Sequence, residues 1–110
     1  MRKKKTKEKN LLELVPQKTK EFKEDGGRIV IFYPKYHIKF IAKKVKNPHY
    51  EIKLDNFGSF VWKQIDGNRN VEEIANKLKE IFGEKVEPVN NRVSLFIQQL
   101  VRRDLIRFNP

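Results

Sequence analysis

With 110 residues, 38% of them hydrophobic and 35% charged, the chain has apolar material for one domain with a single modest core. No apolar run approaches the roughly twenty residues of a membrane span, and the basic start MRKKKTKEKN leads only into LLELVP, too short and, with Glu13, too polar for a signal-peptide core, so a cytoplasmic protein with no membrane partner is expected. Zero cysteines exclude disulfides, thiolate metal sites and a cysteine nucleophile.

The net charge of +11 is unevenly spread, with +10 on residues 1–48 and +1 on residues 49–110. The excess lies on the tail and the front half, not on the back half where helical spacing dominates. A solubilising tail and a lysine-bearing outer sheet face account for it without a dedicated anion-binding surface.

Residues 1–10 are lysine-rich and almost free of apolar side chains, which predicts a disordered basic tail and leaves 11–110 as the folded domain. Leu11, Leu12, Leu14 and Val15 form an apolar cluster ended by Pro16, either one helical turn or an extended segment. From Gln17 to Glu24 the strand character is weak. Asp25-Gly26-Gly27 is a hairpin turn signal, and Arg28 to Tyr33 is β-branched and aromatic throughout, a central strand that Pro34 ends. His37 to Lys46 reads as a further strand with a lysine-rich exposed side, and Tyr50 to Leu54 as another, with Ile52 and Leu54 alternating with Lys53.

Helical spacing begins after Asp55, which offers its side-chain oxygen as a cap. Phe57, Phe60, Val61, Gln64 and Ile65 make the first stripe, with Trp62 about one position off it, either a wedge into the core or an exposed contact residue. Asp66-Gly67 stops that helix. Asn70 with Glu73 forms a capping box for a second helix whose stripe is Ile74, Leu78, Ile81 and Phe82, ended by Gly83. Pro88 suits a first helical position, and Val89, Val93, Phe96, Ile97, Leu100 and Val101 carry the third helix to Arg103. Leu105, Ile106 and Phe108 form a short terminal strand. The fold class is α+β: a small antiparallel β-meander of three or four strands, then a three-helix, winged helix-turn-helix-like bundle.

No catalytic constellation emerges. His37 and His49 flank a turn without the further ligands a metal site needs. Ser59 and Ser94 sit mid-helix with no nucleophile elbow, and Gly26-Gly27 precedes a strand instead of opening a helix, as a phosphate loop would. Asp55, Asp66, Glu72 and Glu73 are accounted for by caps and turns. The expectation is a binding module, not an enzyme, with no cofactor.

Two binding modes are open. The last helix could read DNA, since Asn90, Asn91, Gln98, Gln99, Arg92, Arg102 and Arg103 are types that recognise bases and phosphates, yet the preceding helix is near neutral. Alternatively a free sheet edge takes an extended peptide as an added strand, with Tyr50–Leu54 and the last helix as walls, and their lysines and arginines favour an acidic peptide.

The ordered set Leu54-Asp55, Trp62, Asp66-Gly67, Arg69, Val71, Glu73-Ile74, Leu78, Phe82, Phe96, Leu100 and Leu105-Ile106, with Ile31-Phe32-Tyr33-Pro34 before it, resembles the PqqD family over roughly residues 12–108. The resemblance implies a winged-helix-like RiPP recognition element, or peptide chaperone. Such a protein binds the leader of a ribosomally made precursor peptide and presents it to a modifying enzyme, commonly a radical SAM protein. It implies that the leader adds beside the last sheet strand and against the last helix. Carried over by position, the peptide-binding residues are His49, Tyr50, Ile52 and Lys53 with Arg92, Phe96, Gln99 and Arg103, and there are no catalytic or metal residues. The stretch Tyr36–His49 is longer than the turn usual there, Asp104 stands where glycine is common, and the lysine-rich start is not a family feature. Pyrroloquinoline quinone synthesis is not singled out, because many members serve other peptides. The partners expected are the precursor peptide and its modifying enzyme, with nucleic acid as the competing reading. An exposed edge strand is also a surface for a homodimer.

Overall fold

The computed structural model describes residues 10–34 and 49–110. The expected tail up to residue 9 and the expected strand His37–Lys46 lie outside those residues. The chain divides into two compact units, Met1–Thr19 with Phe60–Pro110, and Lys20–Ser59.

Within Lys20–Ser59, strands β2 (Phe22–Asp25), β3 (Arg28–Pro34) and β4 (His49–Lys53) form an antiparallel sheet in the order β2-β3-β4. Asp25 pairs with Arg28, so only Gly26 and Gly27 make the turn. Their φ of 62° and 84° belong to the two-residue hairpin whose twist matches that of the strands. Ile29, Val30 and Ile31 are all buried, as befits a central strand. Asp55 accepts from the Gly58 amide at 2.7 Å and caps helix α1 (Asn56–Gln64). One turn in, Ser59 ties the sheet to the helix start. Its Oγ accepts from the Ile29 amide at 2.8 Å and donates to the Leu54 carbonyl at 3.3 Å, at 2% exposure.

The other unit holds the remainder of α1, helices α2 (Val71–Phe82) and α3 (Val89–Arg102), and a second sheet that the sequence pattern did not predict as such. In it β1 (Pro16–Lys18) pairs antiparallel with β5 (Ile106–Phe108). The weak run Gln17–Glu24 therefore supplies strands to two different sheets. Two strands alone are marginal in water; these are extended by Thr19 N–H donating to the Leu105 carbonyl at 3.1 Å and Asn109 N–H to Val15 at 2.8 Å. Buried Leu105 and Ile106 anchor them. The Leu11–Val15 cluster resolves into a 3₁₀ turn (Leu11–Glu13) capped by Asn10, then extended chain whose Leu14 carbonyl accepts from the Val71 amide at 3.0 Å.

The apolar stripes of α1, α2 and α3 meet in one core that includes Val61, Ile65, Ile74, Leu78, Ile97 and Leu100. Trp62 is fully buried, with the Lys18 ammonium of β1 5.5 Å from its ring centroid. Ile81, expected in the α2 stripe, is instead 59% exposed. Phe82 completes that end by packing edge-on against Phe60, with ring centroids 5.2 Å apart. Asn70 and Glu73 form the capping box in full. Pro88 is the cap residue and not the first helical one. The amide of Val89 is met by the Glu87 carboxylate at 3.2 Å. That amide, together with the Lys79 ammonium at 3.3 Å, holds the Glu87 carboxyl below the usual carboxylate range.

Candidate functional site

Strand β4 pairs only with β3 among the described residues. The amide of Leu54, just past its end, donates to the Ile29 carbonyl at 2.9 Å. In an antiparallel ladder such pairs alternate, so with Ile31 opposite Ile52 and Tyr33 opposite Tyr50, the even residues of β4 bond to β3. The amides and carbonyls of the odd residues, Glu51 and Lys53, then point to the other side of the strand. Glu51 is thus the central backbone position of this edge. No side-chain pattern marked it, because the sequence does not reveal on which side β3 would lie.

Side chains alternate as well. Tyr50 and Ile52 share the face that carries Ile31 and Tyr33, and also Phe22, which pairs with Ile31. His49 and Lys53 lie on the opposite face with Glu51. There His49 stacks edge-on against Phe32, with centroids 6.0 Å apart, and the Lys23 ammonium sits 5.9 Å from the same ring. The four β4 residues named from the resemblance therefore divide into two pairs, and only Tyr50 and Ile52 can contribute to one surface. Tyr50 is 60% exposed and Ile52 half-buried.

On α3, Arg92, Phe96, Gln99 and Arg103 recur at intervals of four, three and four and so share a face. That face is about a quarter turn from the buried line Val89, Val93, Ile97 and Leu100. Phe96 is half-buried on its flank. Arg92 turns back to donate to the Lys85 carbonyl at 3.0 Å. Gln99, Arg102 and Arg103 line an open notch of about 360 Å³. Leu95, 56% exposed, precedes Gln99 by four residues and Arg102 by seven on the outward face. No sequence motif marks it, although counting from Val93 and Ile97 puts it opposite the core.

After α3 the chain closes with a Schellman arrangement. The Leu105 amide donates to the Leu100 carbonyl at 2.9 Å and the Asp104 amide to Val101 at 2.9 Å. Asp104 has a φ of 62°, which accounts for glycine being favoured there. Among the described residues no group of three or more His, Asp or Glu is placed to hold a metal ion, and no helix is long and apolar enough to cross a membrane.

No curated protein and no solved structure matches the chain. The family model described as coenzyme PQQ synthesis protein D (PqqD) matches residues 29–106, from β3 through the first residue of β5. The matched span leaves out β1 and β2. It covers well over half of the chain, and the protein therefore belongs to the PqqD family.

Proposed function

We propose that this protein is a non-catalytic peptide chaperone that captures the leader of a ribosomally synthesised precursor peptide as an added strand on β4 and presents it to a modifying enzyme of the radical SAM type. The observation that carries the proposal is the β4 edge, where the main-chain groups of Glu51 and Lys53 point away from β3 on an exposed strand. Such an edge binds extended chains through the backbone, whatever their sequence, and leaves selection to nearby side chains. Tyr50 and Ile52 supply contacts on one face, His49 and Lys53 on the other. On α3, Arg92, Phe96, Gln99 and Arg103 share one face and are proposed as peptide contacts in their own right. Family membership supports the coarser part of the reading, a partner-binding role in the biosynthesis of a coenzyme or modified peptide.

The test is fluorescence anisotropy of labelled peptides encoded by short reading frames beside this gene, against a labelled random duplex DNA at physiological salt. A peptide is expected to bind, and Glu51→Pro to abolish that binding. Proline there removes an outward amide while sparing the bonds between β4 and β3. Tight, steeply salt-dependent binding of the duplex without peptide binding would establish the winged-helix DNA reading instead.

A further inference from the structure

We propose that the outer edge of β2 joins two copies of this chain, pairing antiparallel with itself about Phe22 to give one sheet in the order β4-β3-β2-β2-β3-β4. The contact lies within the unit Lys20–Ser59 and is independent of the peptide-binding reading.

Among the described residues β2 pairs only with β3. The Phe32 amide donates to the Glu21 carbonyl at 2.8 Å, and in an antiparallel ladder such pairs alternate. The main-chain groups of Phe22 and Glu24 therefore point to the side away from β3. All four residues of the strand are exposed. Three are charged, as suits an edge strand kept in water. The fourth is Phe22, a large aromatic residue 42% exposed, which does not.

The charges around Phe22 are self-complementary. They lie in the run Lys20-Glu21-Phe22-Lys23-Glu24. A twofold axis through Phe22 sets Glu21 of each copy opposite Lys23 of the other, and Lys20 of each opposite Glu24 of the other. The two Phe22 residues then exchange the main-chain bonds. The two Glu21–Lys23 pairs fall at the non-hydrogen-bonded positions beside them, where Cα atoms come within about 4.5 Å and opposite charges count most. Moving the axis one residue either way removes the match. An axis through Lys23 sets Lys23 against Lys23 and Glu21 against Asp25, and an axis through Glu21 sets Glu21 against Glu21. The charge pattern thus specifies one register as well as a partner.

The same run holds two lysines and two glutamates and is neutral, in a chain of net charge +11. That net charge opposes indiscriminate self-association, so two copies meet most favourably at a neutral and ordered patch. An isologous contact of this kind closes as a dimer. It leaves one β4 edge at each end of the joined sheet.

The experiment is sedimentation velocity of the full chain over a dilution series, where a monomer–dimer equilibrium is expected. Glu21→Lys alone and Lys23→Glu alone should each weaken the dimer at least about tenfold, because each replaces two opposite-charge pairs by two like-charge pairs. An equimolar mixture of these two variants should associate again, since the charges of one complement those of the other. The double variant, Glu21→Lys with Lys23→Glu, should dimerise as the unchanged chain does. Recovery in the mixture also shows that both single variants fold. Glu51→Pro, at the other edge of the sheet, should leave the dimer in place. A chain that is monomeric at every concentration overturns the proposal. So does a dimer that tolerates both single variants, a mixture that stays monomeric together with a monomeric double variant, or a dimer lost in Glu51→Pro.

Discussion

Ser59 shows how a single hydroxyl can define a junction. It lies mid-helix with no chemistry around it, yet its Oγ joins the Ile29 amide to the Leu54 carbonyl in a site 2% exposed. Ser59→Ala would leave the Ile29 N–H buried without that acceptor, and a loss of about 1–3 kcal/mol is expected in urea unfolding. Asp104 is the reverse case, a residue whose replacement should help. At φ 62° an aspartate is strained and a glycine is not, so Asp104→Gly should gain roughly 0.5–1 kcal/mol and Asp104→Val should lose about 1 kcal/mol or more. The Thr19 hydroxyl donates to the main-chain carbonyl of Asp104 and keeps that bond in either variant. Asp66 gives the acid dependence. Its carboxylate accepts from the Arg69 and Asn68 amides, both at 2.9 Å, and lies 3.3 Å from the Arg69 guanidinium. These contacts, the amides foremost, hold its carboxyl below its ordinary value of 3.8. The folded value is the lower one, so the stabilisation is complete above the unfolded value and is lost as pH falls through the folded one. Asp66→Asn keeps an oxygen acceptor but no titration, and thermal melts between neutral pH and pH 3 should show a flatter acid limb for it.

At the scale of elements, what was legible was whatever is local. The period of three and four residues predicted α1, α2 and α3. The Gly26-Gly27 pair predicted the hairpin, and Asn70 with Glu73 predicted a cap that is present in full. That cap is directly testable: Asn70→Ala should cost about 1 kcal/mol. Adding Glu73→Ala should cost less than the sum of the two single changes, because both side chains serve one box. What was not legible depends on a distant neighbour. The segment Pro16–Lys18 is a strand because Ile106–Phe108 lies beside it, and its own residues, a proline, a glutamine and a lysine, do not announce one. The outward direction of Glu51 likewise depends on which flank of β4 is occupied by β3. For the candidate site, all eight residues come from the resemblance, which gives positions along the chain and not faces; the helical period brings Arg92, Phe96, Gln99 and Arg103 to one face, whereas strand alternation separates His49 and Lys53 from Tyr50 and Ile52.

For the molecule as a whole, the two units differ in how they are threaded. The unit Lys20–Ser59 is one continuous stretch of chain. The other is made from two stretches, and β1 reaches its partner across most of the sequence; the bond from the Thr19 hydroxyl to the Asp104 carbonyl spans 85 positions. During synthesis the meander can therefore assemble as soon as β4 has emerged, whereas the Pro16–Lys18 strand must wait for nearly everything that follows it. In pulse-labelled hydrogen exchange during refolding, the amides of Ile29 and Leu54 should gain protection before those of Thr19 and Asn109. Simultaneous protection would contradict this order. The same threading has a consequence on the ribosome. The strand edge proposed to receive the peptide is complete while the nascent chain still lacks α2 and α3, so for that interval a neighbouring nascent chain with an extended segment can pair with it before the rest of the protein has formed.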